Sequence, residues 1–228
     1  MSRQRPRTVG LVCEGGSDVA LFAAFVRALW PAVGRVLPLQ PQLDALTGHA
    51  VGTAGWTGLR AWCKENAGKL DLVLDPGIGD PLDLLVIALD ADIAREALAV
   101  EATPTPASTH LPTQLRAQIA DWLGVGADGL PAEVVVSTPT MAVEAWVIAA
   151  LFRSQRAPEA NAEPAKFLVQ RRKLAMDPAR PHKVRKPPES YRAFAAALAA
   201  QLTHVRKRCP EAERTAHAIE ELRRAASR

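Results

Sequence analysis

Residues 83–94, DLLVIALDADIA, hold the strongest structural signal in the chain: an aliphatic run, Leu84 to Leu89, that passes straight into Asp90-Ala91-Asp92. A short unbroken apolar run with β-branched members reads as a strand buried on both faces, the kind that parallel sheets use. A second such run, Thr8 to Cys13 (TVGLVC), ends in Glu14-Gly15-Gly16. Beyond it Ser17 can cap a helix, Asp18 suits the positive end of that helix, and Val19, Phe22, Ala23, Val26 and Leu29 recur at helical spacing. A further strand is expected at 133–137 (EVVVS), and another around Val36 to Leu39 within a stretch broken by Pro38, Pro41 and Gly48. Helices are expected over 56–69, 113–123 and 141–152, with loops at 75–81 and 103–112. Alternating strands and helices of these lengths imply an α/β fold, a mostly parallel sheet of about four strands flanked by helices.

The 228 residues suit an α/β domain of residues 1–152 carrying a basic helical extension, 153–228, packed on or beside it. Two helices, Ser190 to Val205 and Glu211 to Ala226, and a positive loop are expected in that extension. With 48% hydrophobic and 23% charged residues, the composition is that of a globular protein and not a disordered one. The net charge of +4 conceals a division: residues 1–152 hold ten Lys and Arg against sixteen Asp and Glu, residues 153–228 eighteen against eight. Carboxylates hold hard cations and Lys/Arg neutralise phosphates, so the division points to a metal site beside a polyanion-binding surface. No run approaches the roughly 20 apolar residues of a membrane span, and the basic N-terminus lacks a secretory pattern. Cys13, Cys63 and Cys209 are too few and scattered for a disulfide framework or zinc cage, so a reduced, cytoplasmic setting is expected.

In open parallel sheets ligands bind beyond the carboxyl ends of the strands. Acids fall there three times: Glu14, the pair Asp90 and Asp92, and Glu144 in the helix after the strand at 133–137. Such a set suits Mg²⁺ (or Mn²⁺), which takes oxygen ligands and keeps water and substrate phosphate. The two stretches GLVCEGGSDVALF and LLVIALDADIA resemble the Toprim domain of primases, topoisomerases and overcoming-lysogenization-defect nucleases, with Glu14-Gly15 and Asp90/Asp92 matching its Glu-Gly and Asp-x-Asp motifs. Residues 139–146, PTMAVEAW, resemble a Glu-x-Trp helix of small bacterial Toprim-like proteins, some acting in phage defence. The resemblance covers residues 7 to 150. It implies a glutamate, Glu14, as general acid/base and Asp90 and Asp92 as Mg²⁺ ligands; Lys186 and Tyr191 occupy a region where such proteins place a basic residue.

The expected function is therefore Mg²⁺-dependent phosphodiester hydrolysis or related phosphoryl transfer on nucleic acid. Glu14, Asp90 and Asp92 would be catalytic, Glu144 would help hold metal, and Lys183, Arg185 and Lys186, with the cluster Arg171, Arg172 and Lys173, would contact the backbone. Two alternatives stand: a non-catalytic module binding nucleic acid or a partner ATPase on the same scaffold, and a phosphatase using Asp90 as nucleophile. Blander uses compete for single residues. Asp18 reads as a helix-start residue rather than a ligand, and Glu144, in a first helical turn, gains from the dipole alone. The letters of Gly124 to Gly129 fit G-x-G-x-x-G but follow a helix and precede a strand, the reverse of the dinucleotide-binding context. His49, His110, His182, His204 and His217 lack metal-ligand spacing, and no Gly-x-Ser-x-Gly elbow or Walker A motif occurs.

Overall fold

Four parallel strands form the central sheet of the computed structural model: β1 (Arg7–Val12), β2 (Val33–Gln40), β5 (Leu84–Ala88) and β6 (Val134–Ser137), in the spatial order β2-β1-β5-β6. The structure describes residues 5–44, 46–47, 50–98, 111–126 and 129–226. His49, His110, positions 127–128 of the glycine motif and most of the expected loop at 103–112 lie outside them.

Side-chain alternation explains why the strands are apolar throughout. Val9 and Leu11 of β1, Leu84, Val86 and Ala88 of β5, and Val135 of β6 join one core; Val12, Leu85, Ile87, Val134 and Val136 join a second on the opposite face. Helix α1 (Gly16–Leu29) covers the first face with Phe22, Phe25 and Val26. Helices α2 (Trp56–Glu65), α3 (Leu70–Leu74) and α5 (Leu111–Trp122) cover the second through Leu59, Leu70 and Leu115. A short β3–β4 pair (Gln42–Leu43 with Ala50–Val51) follows β2, and α4 (Ala94–Leu98) follows a single 3₁₀ turn after β5. The strand expected at 36–39 spans all of 33–40. Pro38 is tolerated within it because β2 is an edge strand, where a missing N–H breaks no ladder.

The remaining elements complete the first face. Helix α6 (Glu144–Leu151) is apolar all round, and Glu144 through Ala150 are buried. After α7 (Pro164–Gln170), the segment expected to be a positive loop forms an antiparallel hairpin, β7 (Ala175–Asp177) and β8 (Arg180–Arg185). Its strand RPHKVR alternates nothing, since almost every side chain is exposed, so no period of two announces it. Three helices, not two, end the described chain: α8 (Pro188–Ala200), α9 (Leu202–Arg208) and α10 (Pro210–Ala225). Pro210 opens α10 at a position whose N–H would be unpaired anyway, and Arg208 donates to the carbonyls of Ala149 and Phe152 at the end of α6. Tyr191, Phe194, Leu198, Val205 and Ile219 pack into the same core as β1 and α1. Among the described residues no helix is long and apolar enough to cross a membrane, and the three cysteines are buried and unpaired.

Candidate active site at the carboxyl edge of the sheet

β1 and β5 are neighbours, yet the helix after β1 lies on one face of the sheet and the helices after β5 on the other. The two chains part at their carboxyl ends and leave a crevice between them, the switch point at which open α/β sheets bind ligands. Glu14 and Asp90 stand on its two sides. The backbone N–H of Asp90 donates to Glu14 Oε1 at 2.9 Å, so the two acidic motifs, 76 positions apart in sequence, meet directly.

Each acid is fixed by its own loop. Asp18, one turn into α1, accepts from the Gly15 N–H at 2.9 Å and from Ser17 Oγ at 3.1 Å, which is the helix-start role its position suggests. The loop before α6 is laced to Asp90-Ala91-Asp92 by three bonds: the Val143 N–H donates to Asp90 Oδ1 at 3.0 Å, and Ala91 and Asp92 donate to the carbonyls of Pro139 and Met141 at 2.9 and 3.0 Å. Met141 presents its carbonyl from φ +62, a left-handed conformation that costs a side-chain-bearing residue about 1 kcal/mol. Glu144, wholly buried at the start of α6, accepts Lys186 Nζ at 2.7 Å and the Tyr191 hydroxyl at 2.5 Å, both on Oε1. Its Oε2 is buried without a hydrogen-bond partner among the described residues.

Five carboxylates in one crevice repel one another, and the lost hydration makes ionisation harder still. Burial, with Asp18 and Asp92 nearby, pushes Glu14 up to about 8 against the lowering effect of the Asp90 N–H and Lys186. Asp92 rises to about 6 through burial and the neighbouring Glu144, Asp18 and Glu96, with Lys186 opposing. Asp90 lies well above the ordinary range, through burial and then Asp18, Glu14, Asp92 and Glu144; Asp18 is raised, chiefly by burial. Glu144 is the exception. Burial works against its charge, but Lys186 and the Tyr191 hydroxyl prevail and hold it below its ordinary value. Desolvation likewise pulls Lys186 down, and Glu144, Tyr191 and Asp18 reverse this and keep it firmly protonated.

Glu14, Asp90, Asp92 and Glu144 thus share the crevice. Glu144, expected among metal ligands, has its Oε1 committed to an ion pair and only Oε2 left over. Lys186, expected on a nucleic-acid surface, supplies the cation of that pair, and with Lys183, Asp90, Asp92 and Glu144 it lines a cleft of about 400 Å³. Arg185 is exposed on β8. Arg171 sits over the rings of Phe167 and Phe152, at 5.1 and 5.9 Å, and neither it nor Arg172 or Lys173 lines that cleft. The part played by Asp18 and Tyr191 has little sequence signal. Tyr191 is the one tyrosine of the chain and Asp18 follows Glu14 by one helical turn, which is all that marks them.

Among the described residues no three His, Cys, Asp or Glu side chains are already gathered as a metal-holding group. The donor set nonetheless suits a hard divalent cation. It is all oxygen, Oε2 of Glu14 and Oδ2 of Asp90 have no hydrogen bond among the described residues, and Oε2 of Glu144 is buried and bare. The raised pKa values of Glu14, Asp90 and Asp92 are what a positive charge among them would relieve. No protein-family model, curated protein or solved structure matches the chain.

Proposed function

We propose that the protein is a Toprim-like, Mg²⁺-dependent phosphoryl-transfer enzyme that hydrolyses phosphodiesters of nucleic acid. The observation that supports this most directly is the bond between Glu14 and the Asp90 backbone, which joins the Glu-Gly and Asp-x-Asp motifs in one crevice. Asp90 and Asp92 would hold Mg²⁺ or Mn²⁺, which when bound polarises a phosphodiester and eases deprotonation of attacking water. Glu14, beside that ion and raised by burial and its acidic neighbours, would carry the proton given to the leaving oxygen as the P–O bond breaks. Lys186, kept charged by Glu144, faces the cleft and stabilises negative charge that builds on the phosphoryl oxygens. Tyr191 orients Glu144 from behind.

The test is cleavage of labelled single-stranded DNA, duplex DNA and RNA with Mg²⁺ or Mn²⁺. Activity should vanish with chelator and fall about 10²–10⁴-fold in Glu14→Gln. Cleavage that survives both Glu14→Gln and Asp90→Asn rules this function out; strand binding indifferent to chelator and without turnover favours the non-catalytic module.

A further inference from the structure

A second, larger cleft of about 730 Å³ lies on the other side of Lys186, between α1, β2 and the start of α8. Among the described residues four cations line it and no carboxylate does: Arg180 and Lys186, which are paired with Asp177 and Glu144, and Arg27 and Arg192. Its furrow continues between α1 and α8 as a further space of about 530 Å³ that Arg27 and Arg192 flank again. Neither arginine has an ion pair or hydrogen bond among the described residues. An arginine pair facing a groove without counter-charge is the local signature of a bound polyanion.

Resting on the function proposed above, we infer that the substrate is a continuous single strand that runs through both clefts, so that the bond cut is internal and not terminal. Lys186 lines both clefts and marks the crossing point beside the carboxylates. On one side Lys183 contacts the strand, and on the other Arg27 and Arg192 do. From Ser17, beside the acids, to Arg27 is ten residues of helix, about 15 Å, which is the length of about four nucleotides along one strand. A mononucleotide or terminal phosphate needs no cation so far away. Among the described residues the one aromatic side chain lining the larger cleft is Tyr191, which is 1% exposed with its hydroxyl spent on Glu144, so these residues offer bases no stacking platform. The groove reads backbone, and binding is independent of sequence.

The experiment is fluorescence anisotropy of a labelled 12-nucleotide single strand from 50 to 200 mM salt, with Arg27→Ala/Arg192→Ala beside a control that removes equal charge elsewhere, Lys64→Ala/Lys207→Ala. Both groove positions are exposed on helices, where alanine is favourable, so the fold should persist; circular dichroism checks it. The groove pair should weaken binding at least 10-fold and make the salt slope shallower by about 1.4, two single-strand phosphate contacts. The control should do neither. An unchanged slope in the groove pair overturns the inference, whatever the enzyme's activity. With active enzyme a circular single strand decides the rest: it should be opened with Mg²⁺, and a circle that resists while linear strands shorten from an end overturns the internal cut. Absence of all metal-dependent cleavage, with the slope change intact, would instead remove the hydrolytic function and leave the groove standing.

Discussion

Lys186→Met probes the pivot of the site. Glu144 is wholly buried and both of its partners act on Oε1, Lys186 at 2.7 Å and Tyr191 at 2.5 Å. Removing the ammonium leaves a buried carboxylate with one hydroxyl for company. Breaking a buried pair from one side costs about 3–5 kcal/mol. Because the Lys186 side chain is 40% exposed, water can replace part of what is lost, and about 2–3 kcal/mol is expected. For a chain of this size that lowers Tm by about 5–10 °C. The pH dependence has a definite sign. Without Lys186 the folded-state pKa of Glu144 rises above its unfolded value, so the native state binds the extra proton and stability falls as pH rises. The deficit relative to wild type should be larger at pH 8 than at pH 5. Glu144→Gln/Lys186→Met should recover most of the loss, since both charges then go together. Urea unfolding of the four proteins in the cycle at both pH values is the assay. A Lys186→Met protein within about 0.5 kcal/mol of wild type at pH 8, or a deficit indifferent to pH, would refute this electrostatic account.

Two further outcomes follow from the same repulsion. Glu14→Gln should raise stability at pH 8 by about 2–3 kcal/mol while lowering cleavage about 10²–10⁴-fold. Its folded pKa near 8 against an ordinary 4.5 means that charge on Glu14 is disfavoured in the native state from about pH 4.5 upward, and the gain should vanish near pH 4. Thermal unfolding across pH checks it, and a destabilised variant at pH 8 would contradict it. Mg²⁺ binding should release protons at pH 6.5, because Asp90, held well above the ordinary carboxylate range, and Asp92, with a pKa near 6, must ionise to become ligands. Titration calorimetry in two buffers of different ionisation enthalpy measures the count, and equal heats in both would argue against Asp90 and Asp92 as ligands.

What the sequence made legible is what depends on neighbours along the chain. The runs at 8–13 and 84–89 are apolar on both faces because both faces are covered, and the acids at their ends are visible because the pattern stops there. Asp18 was legible as a helix-start residue, and it is one; that it also presses on Glu14 and Asp90 depends on how β1 and β5 lie together. The Glu144–Lys186–Tyr191 contact joins residues 42 and 47 positions apart in sequence across a hairpin whose strands have no period of two, so no local pattern encodes it. β2 was seen in part because Pro38 reads as a breaker, and only its place at the sheet's edge makes the proline harmless.

The same contacts change what the basic third of the chain is for. Eighteen Lys and Arg after residue 152 suggest a broad phosphate-binding surface, but many are spent within the fold. Lys186 is held by Glu144, Arg206 by Glu213 and Glu220, Arg214 by Glu211, Arg180 by Asp177, Lys166 by Glu163, and Arg208 caps α6. Of the cations that line the clefts, Lys183, Arg27 and Arg192 remain unpaired among the described residues, with Lys186 shared between Glu144 and the substrate. Three to four contacts on a single strand correspond to a salt slope of about −2 to −3 in log K against log salt. A slope near −7, about ten phosphates, would mean that the wider basic surface grips the strand and that these ion pairs open on binding. The acidic crevice therefore needs the basic tail first as its own counter-charge, and a substrate meets only the cations that are left over.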